Sequence, residues 1–357
     1  MPSIRLKPLS QQTILITGAS SGIGLATARM ACEAGARVFL VSRNGEALEQ
    51  IVGELRGRGG KADHAVADVA DQAAMEAAAA QAEAVFGPLD SWVNDAGTSL
   101  YGTLTETSVE DQRRLFETNY WGVVRGSLIA AKALRARGGA IINIGSILSD
   151  RTITLQGTYS ASKHAVKAFT DALRMELETE GAPISVTLIK PSGIETAFQE
   201  HARNRLGSPG LKVPPPAYDP RLVARAILHA CTHRKRDIVV GFGGHAIALL
   251  GAHFPRATDL LMEAIGYAIQ TTDKAPRPDR ADNLYAPRGD GTEKSLTRPV
   301  TPVRKTSLFL EAQLHPVATT ALVGLGALVA GALVARQLAP RPSLFATPRR
   351  ALRRRGF

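Results

Sequence analysis

The sequence predicts an α/β fold: a doubly wound parallel sheet, Rossmann-like, with helices on both faces, then a C-terminal linker and a single apolar helix. Three observations carry this. Short, continuously apolar runs alternate with helix-length amphipathic stretches between residues 13 and 240. A glycine-rich turn follows the first run and opens the first helical stretch. Beyond residue 270 the alternation stops, and a polar stretch leads into the uncharged run Val317–Ala335.

Strands covered on both faces need apolar side chains at successive positions, whereas strands with one wet face alternate. The runs at 13–17, 37–41, 89–93, 140–145 and 184–189 are of the first kind. Stretches 22–34, 44–57, 71–86, 108–136 and 157–180 separate them and have helical length. Parallel neighbours require such crossovers, so the alternation implies helices above and below one sheet. The unit closes after Asp237-Ile238-Val239-Val240. Residues 195–220 interrupt it with Gly207, Pro209, Gly210 and Pro214-Pro215-Pro216, which reads as a functional loop above the sheet. Residues 244–270 are helical and apolar on one side, and 271–316 turn polar and rich in Pro and Gly, the composition of a linker.

The chain has 357 residues and a net charge of +11. That charge is uneven: residues 1–270 carry +2 and residues 271–357 carry +9. A basic nucleic-acid face across the whole protein is not expected, and no nucleic-acid partner is expected; one alternative is contact through the basic tail at 336–357. Cys32 and Cys231 cannot build a disulfide framework, which suits a reducing compartment. Met1–Gln12 has no apolar core of a signal peptide.

The chemistry sits on a few residues. Thr17-Gly18-Ala19-Ser20-Ser21-Gly22-Ile23-Gly24 lies between the first strand and first helix. Glycines there let the backbone approach a pyrophosphate, whose charge rests on free N–H groups at a helix N-terminus. Tyr159 and Lys163 stand at i and i+4, on one helix face, so phenol and ammonium can converge on one site. A neighbouring cation favours the phenolate and is expected to lower the Tyr159 pKa from about 10. Ser146 ends the fifth strand, where side chains face the ligand crevice. Asn94-Asp95-Ala96-Gly97 ends the fourth, and Asn119 lies within the helical stretch after it. His229 and His233 flank Cys231 at helical spacing and read as a helix face, without a metal.

In this order and spacing the residues resemble the short-chain dehydrogenase/reductase family, marked by TGxxxGxG and YxxxK, over roughly residues 10–240. The resemblance implies that Tyr159 is the acid/base at a carbonyl or alcohol oxygen. It implies that Ser146 hydrogen-bonds the same oxygen, that Lys163 binds the nicotinamide ribose, and that Asn119 holds a relay water. Thr17, Gly18, Ser20, Gly22, Ile23 and Gly24 would form the pyrophosphate turn. Asp68 and Val69 would contact adenine. Asn94, Ala96 and Gly97 match the family's NNAG element, and Pro191, Gly193 and Thr196 the segment beside the nicotinamide. Asp95 stands where the family has a second Asn, and Ser192 where it has Gly. The family's long helices form a dimer interface, so a homodimer is implied.

An acid at the end of the second strand selects NAD through the ribose 2′-hydroxyl; a cation accommodates the 2′-phosphate of NADP. This strand ends Val41-Ser42-Arg43, and Arg43 with Ser20 favours NADP(H). The expected function is an NADP(H)-dependent oxidoreductase interconverting a ketone or aldehyde with an alcohol. The alternative is a membrane-attached dinucleotide sensor or scaffold without catalysis.

Val317–Ala335 would span about 28 Å as a helix, close to one hydrocarbon core. Seven arginines follow it, from Arg336 to Arg355. The expected organisation is a catalytic domain at 1–270, a linker at 271–316, a transmembrane helix at 317–335 and a basic tail at 336–357. Lipid contact through 317–357 would place the enzyme at a membrane, its catalytic domain in the cytoplasm and its substrate apolar.

Overall fold

Each apolar run folds as a buried strand. In the computed structural model, residues 4–206, 210–273, 281–288, 290–295 and 301–338 are described. Strands β1 (Thr13–Thr17), β2 (Arg37–Ser42), β3 (Lys61–Val66), β4 (Ser91–Asn94), β5 (Gly139–Ile144), β6 (Ile184–Pro191) and β7 (Asp237–Val240) form one parallel sheet. Their order is β7-β6-β5-β4-β1-β2-β3. Strand order reverses between β1 and β4, which opens a ligand crevice at their C-terminal ends. In β1, β5 and β6 every residue is buried, as continuous apolar runs require. β3 is different. Its sequence, Lys-Ala-Asp-His-Ala-Val, lacks an apolar run because it lies at the sheet edge, with Val66 exposed.

Helices α1 (Gly22–Glu33), α2 (Gly45–Gly57), α3 (Gln72–Phe86), α4 (Val109–Phe116), α5 (Gly122–Leu134), α6 (Gly157–Thr179), α7 (Phe198–His201) and α8 (Pro220–Thr232) fill the crossovers and the loop above the sheet. Several begin at side-chain caps: Asn44 accepts from the Ala47 N–H and Asp71 from the Ala74 N–H. One apolar layer joins α1, α2 and α8 to the sheet, and a second joins α3, α5 and α6. The helical stretch expected at 108–136 is interrupted. A π-helical turn, Glu117–Trp121, separates α4 from α5 and holds the buried Asn119. Such turns recur at functional sites because one extra residue re-aims a side chain.

Helices α9 (Phe242–His253) and α10 (Pro255–Ile265) follow β7 as expected for 244–270. The segment expected to be a linker does not behave as one: residues Met1–Leu314 form a single compact unit. Thr271–Thr272 pairs with Gly210–Leu211, and Val303–Arg304 with Ala217–Tyr218. Leu284 is fully buried. Helix α11 (Leu308–Leu314) adds Leu310 and Leu314 to the core. It also covers the edge strand, since Gln313 both accepts from the Val239 N–H (2.9 Å) and donates to the Val239 carbonyl (2.8 Å). Among the described residues of this stretch, Arg288, Asp290, Glu293, Lys294 and Gln313 bond to groups far away in sequence.

His315–Phe357 is a second unit. Within it, helix α12 (Pro316–Leu338) leaves Val317, Leu322, Leu325 and Leu328 exposed. Among the described residues no single helix is long and apolar enough to cross a membrane. The expected transmembrane span at 317–335 is therefore not met by one helix, and the tail from residue 339 lies outside the described residues.

Candidate active site

The turn after β1 is built from close backbone approaches. Gly18 and Gly22 adopt φ of +69° and +57°. A Cβ on Gly18 would lie 2.8 Å from Ala96 Cα, and one on Gly24 only 2.4 Å from the Gly18 carbonyl oxygen. The Thr17 hydroxyl oxygen accepts from the Asp95 and Ala96 N–H groups at 3.1 and 3.2 Å, which ties the β1 turn to the end of β4. The first turn of α1 lines the cavity through Gly22 and Ile23, with the Gly22 N–H donating to the Thr292 carbonyl at 2.9 Å.

One cavity of about 310 Å³ runs from this turn to the other end of the crevice. Gly18, Ser20, Gly22, Ile23, Arg43, Asp68, Val69, Ala96 and Gly97 line its first part. Tyr159, Lys163, Ser146, Pro191, Gly193 and Thr196 line its second. Four expected site residues stand behind the wall instead of in it. Thr17 and Gly24 shape the turn. Asn94 accepts from the Trp92 indole (2.7 Å) and donates to Ser127 (3.1 Å) and Asn143 (2.9 Å), a buried network joining β4, β5 and α5. Asn119 clamps Thr98, accepting from its N–H (2.9 Å) and donating to its carbonyl (3.0 Å), and donates to Ser162 at 3.3 Å. These contacts satisfy both ends of its amide.

The reactive groups are buried. The Ser146 hydroxyl oxygen accepts from the Leu148 N–H at 3.1 Å, and Ser146 lies beside Tyr159 in the cavity wall, where its hydroxyl favours the phenolate. Lys163 Nζ donates to the Ile144 carbonyl at 2.8 Å and lies 5.7 Å from the Tyr159 ring centre. The expected lowering of the Tyr159 pKa is not seen. Burial pushes it up to about 12, with Asp95 adding to the rise, and the Ser146 hydrogen bond only partly offsets this. Burial likewise lowers the Lys163 pKa to about 8 against the pull of Asp95, and raises that of Asp95 to about 8.

At the first end of the cavity, Arg114 reaches Asp68 at 2.6 Å and Arg43 approaches it at 3.9 Å. Burial disfavours the Asp68 carboxylate, but the Ala70 N–H and the two guanidinium groups outweigh it and hold its pKa below the usual value. Sequence reasoning missed a further wall: Asn283, Pro287, Arg288 and Asp290, from the stretch read as a linker, line this end. No periodicity or motif marks them. Phe198, Leu148, Ile247, Met262 and Ile269 make the other end apolar, and the Phe198 and Tyr159 rings lie 5.8 Å apart, edge to face.

The short chain dehydrogenase family model matches residues 12–207. The chain belongs to the short-chain dehydrogenase family. It is 42% identical over 326 residues to the uncharacterized oxidoreductase YxnA of Bacillus subtilis (strain 168), covering 90% of each chain. It is 37% identical over 237 residues to dehydrogenase/reductase SDR family member 7B of Bos taurus, covering 64% of this chain and 72% of the relative. An alcohol dehydrogenase from Thermococcus sibiricus, solved in complex with 5-hydroxy-NADP, superposes with a TM-score of 0.57 at 25% identity, over 64% of this chain and 95% of that one. This short-chain dehydrogenase is accordingly an oxidoreductase whose family uses a nicotinamide dinucleotide on small alcohols and carbonyls. The glycines that tolerate no Cβ and the continuous cavity that their turn lines fit such a group.

Proposed function

We propose that the protein interconverts an apolar ketone or aldehyde with its alcohol, with NADP(H) as the preferred dinucleotide. The observation that carries this is that Ser146, Tyr159 and Lys163 line the same cavity as the glycine turn. When bound, the nicotinamide supplies or accepts the hydride. The Tyr159 hydroxyl, held protonated at neutral pH by burial, donates its proton to the carbonyl oxygen in reduction. The Ser146 hydroxyl, its oxygen anchored by the Leu148 N–H, turns its proton to that same oxygen. Lys163, anchored by one donor to the Ile144 carbonyl, keeps others for the ribose. Leu148, Phe198, Met262 and Ile269 exclude water from the substrate end and favour apolar groups there. Arg43 and Ser20, with no acid on β2 beside them, support the NADP(H) preference.

Tyr159→Phe keeps the ring and removes the hydroxyl that carries the transferable proton. It is expected to lower kcat for NADPH-dependent carbonyl reduction by at least about a hundredfold while leaving the NADPH Kd within about twofold. Full activity in this variant would rule out the proton-transfer role. A sensor or scaffold without catalysis predicts instead that no carbonyl compound consumes NADPH with the unmodified chain.

A further inference from the structure

The stretch 281–295 crosses the first end of the cavity and is fastened to cofactor-site residues. The Gly22 N–H donates to the Thr292 carbonyl and the Gly291 N–H to the Ser20 carbonyl, both at 2.9 Å. Asn44 donates to the Arg288 carbonyl, and Arg43 to the Asn283 carbonyl. These contacts deliver one carboxylate. Asp290 Oδ2 accepts from the Ser20 hydroxyl at 2.7 Å, and its other oxygen lies 3.7 Å from His201 Nε2. Its side chain is 11% exposed, and it lines the same cavity as Ser20 and Arg43.

We propose that Asp290 is a cofactor-specificity residue: an acid supplied from the C-terminal stretch to the ribose corner that β2 leaves without one. The inference rests on the dinucleotide reading of this site. A carboxylate there accepts a hydrogen bond from a 2′-hydroxyl and repels a 2′-phosphate. Arg43 acts in the opposite sense, but its charge is shared with Asp68. Asp290 therefore narrows the preference for NADP(H) that Arg43 and Ser20 create. Arg288 lines the same end, with one nitrogen donating to the Glu200 carbonyl at 2.7 Å.

The test is the Kd of NADPH and of NADH by isothermal calorimetry on the full chain, without substrate. Asp290→Asn keeps size and hydrogen-bonding capacity and removes the charge. It is expected to shift the ratio of affinities about tenfold towards NADPH, equivalent to about 1.4 kcal/mol. Asp290→Glu keeps the charge and should hold the parent ratio. Adenosine 2′,5′-bisphosphate against ADP should show the same shift without a nicotinamide, which isolates the ribose corner. If both cofactors bind and Asp290→Asn leaves the ratio within twofold of the parent, the role of Asp290 is overturned. If neither cofactor binds the unmodified chain, the dinucleotide reading itself fails, and the inference with it.

Discussion

Ser20, in the first turn after β1, donates its hydroxyl to Asp290 across 270 residues of sequence at 2.7 Å. That bond joins the glycine turn to a stretch whose composition suggested solvent. Asn283, Pro287, Arg288 and Asp290 thereby line the same cavity as the glycine turn, and substitutions at these positions are expected to alter dinucleotide binding.

The glycines of the turn separate close approach from simple flexibility. Gly24→Ala would place a Cβ 2.4 Å from the Gly18 carbonyl oxygen, so it should abolish calorimetric NADPH binding and cost about 1–3 kcal/mol of stability. Gly53→Ala, inside α2 with nothing within 4 Å, should instead stabilise by about 0.5–1 kcal/mol in thermal unfolding. Equal effects of the two would contradict the packed turn.

The direction of the reaction sets its pH dependence. Reduction uses protonated Tyr159, and burial holds that pKa near 12, so kcat/KM for carbonyl reduction should stay within about twofold between pH 6 and 8. Alcohol oxidation needs the phenolate, so its kcat/KM should climb with pH across the same range. A reduction rate that halves near pH 7 would mean that the phenol ionises far lower than its burial dictates.

Asp95 is a buried carboxyl where the family has Asn, and its pKa is raised to about 8 by burial. A group whose folded-state pKa is raised contributes stability below its unfolded pKa and loses it as pH rises through the folded one. Lys163 is lowered to about 8, so above that pH it is less able to pair with the carboxylate. Asp95→Asn should therefore gain least near pH 4, where folded and unfolded chains both hold the proton, and raise Tm progressively between pH 4 and 8, by at least about 2–4 °C at pH 9. A gain that shrinks with rising pH would reverse this assignment.

Helix α12 carries exposed Val317, Leu322, Leu325 and Leu328. A lipid-contacting role for this helix makes a clear prediction. The full chain should float with vesicles containing anionic lipid, and a chain ending at Leu314 should remain in the soluble fraction with Tm unchanged within about 2 °C. Flotation of both, or of neither, would remove this role from α12.

Much of the fold was legible because its signals are local. The runs at 13–17 and 184–189 are apolar at nearly every position because both faces of the sheet are covered, and both became buried strands. The edge strand Lys61–Val66 has no such run, since one side of it has no neighbour. The turn at 17–24 and the Tyr159/Lys163 pair announce themselves by spacing that a short backbone segment obeys. Asn94 and Asn119 carry motif positions too, but spacing could not reveal that their amides face inward, to Asn143 and to Thr98.

By itself, then, the sequence determined the succession of strands and helices, the glycine turn at 17–24 and the Tyr159/Lys163 pair, because each is encoded within a few residues of backbone. Only the tertiary structure decided what surrounds them. Asp290 at Ser20, Asn283 at Arg43 and Gln313 on Val239 are side-chain and carbonyl contacts between segments far apart in sequence. No periodicity records such contacts. They form because a polar stretch laid against a finished sheet must hydrogen-bond to whatever it covers, and here it covers the cofactor site.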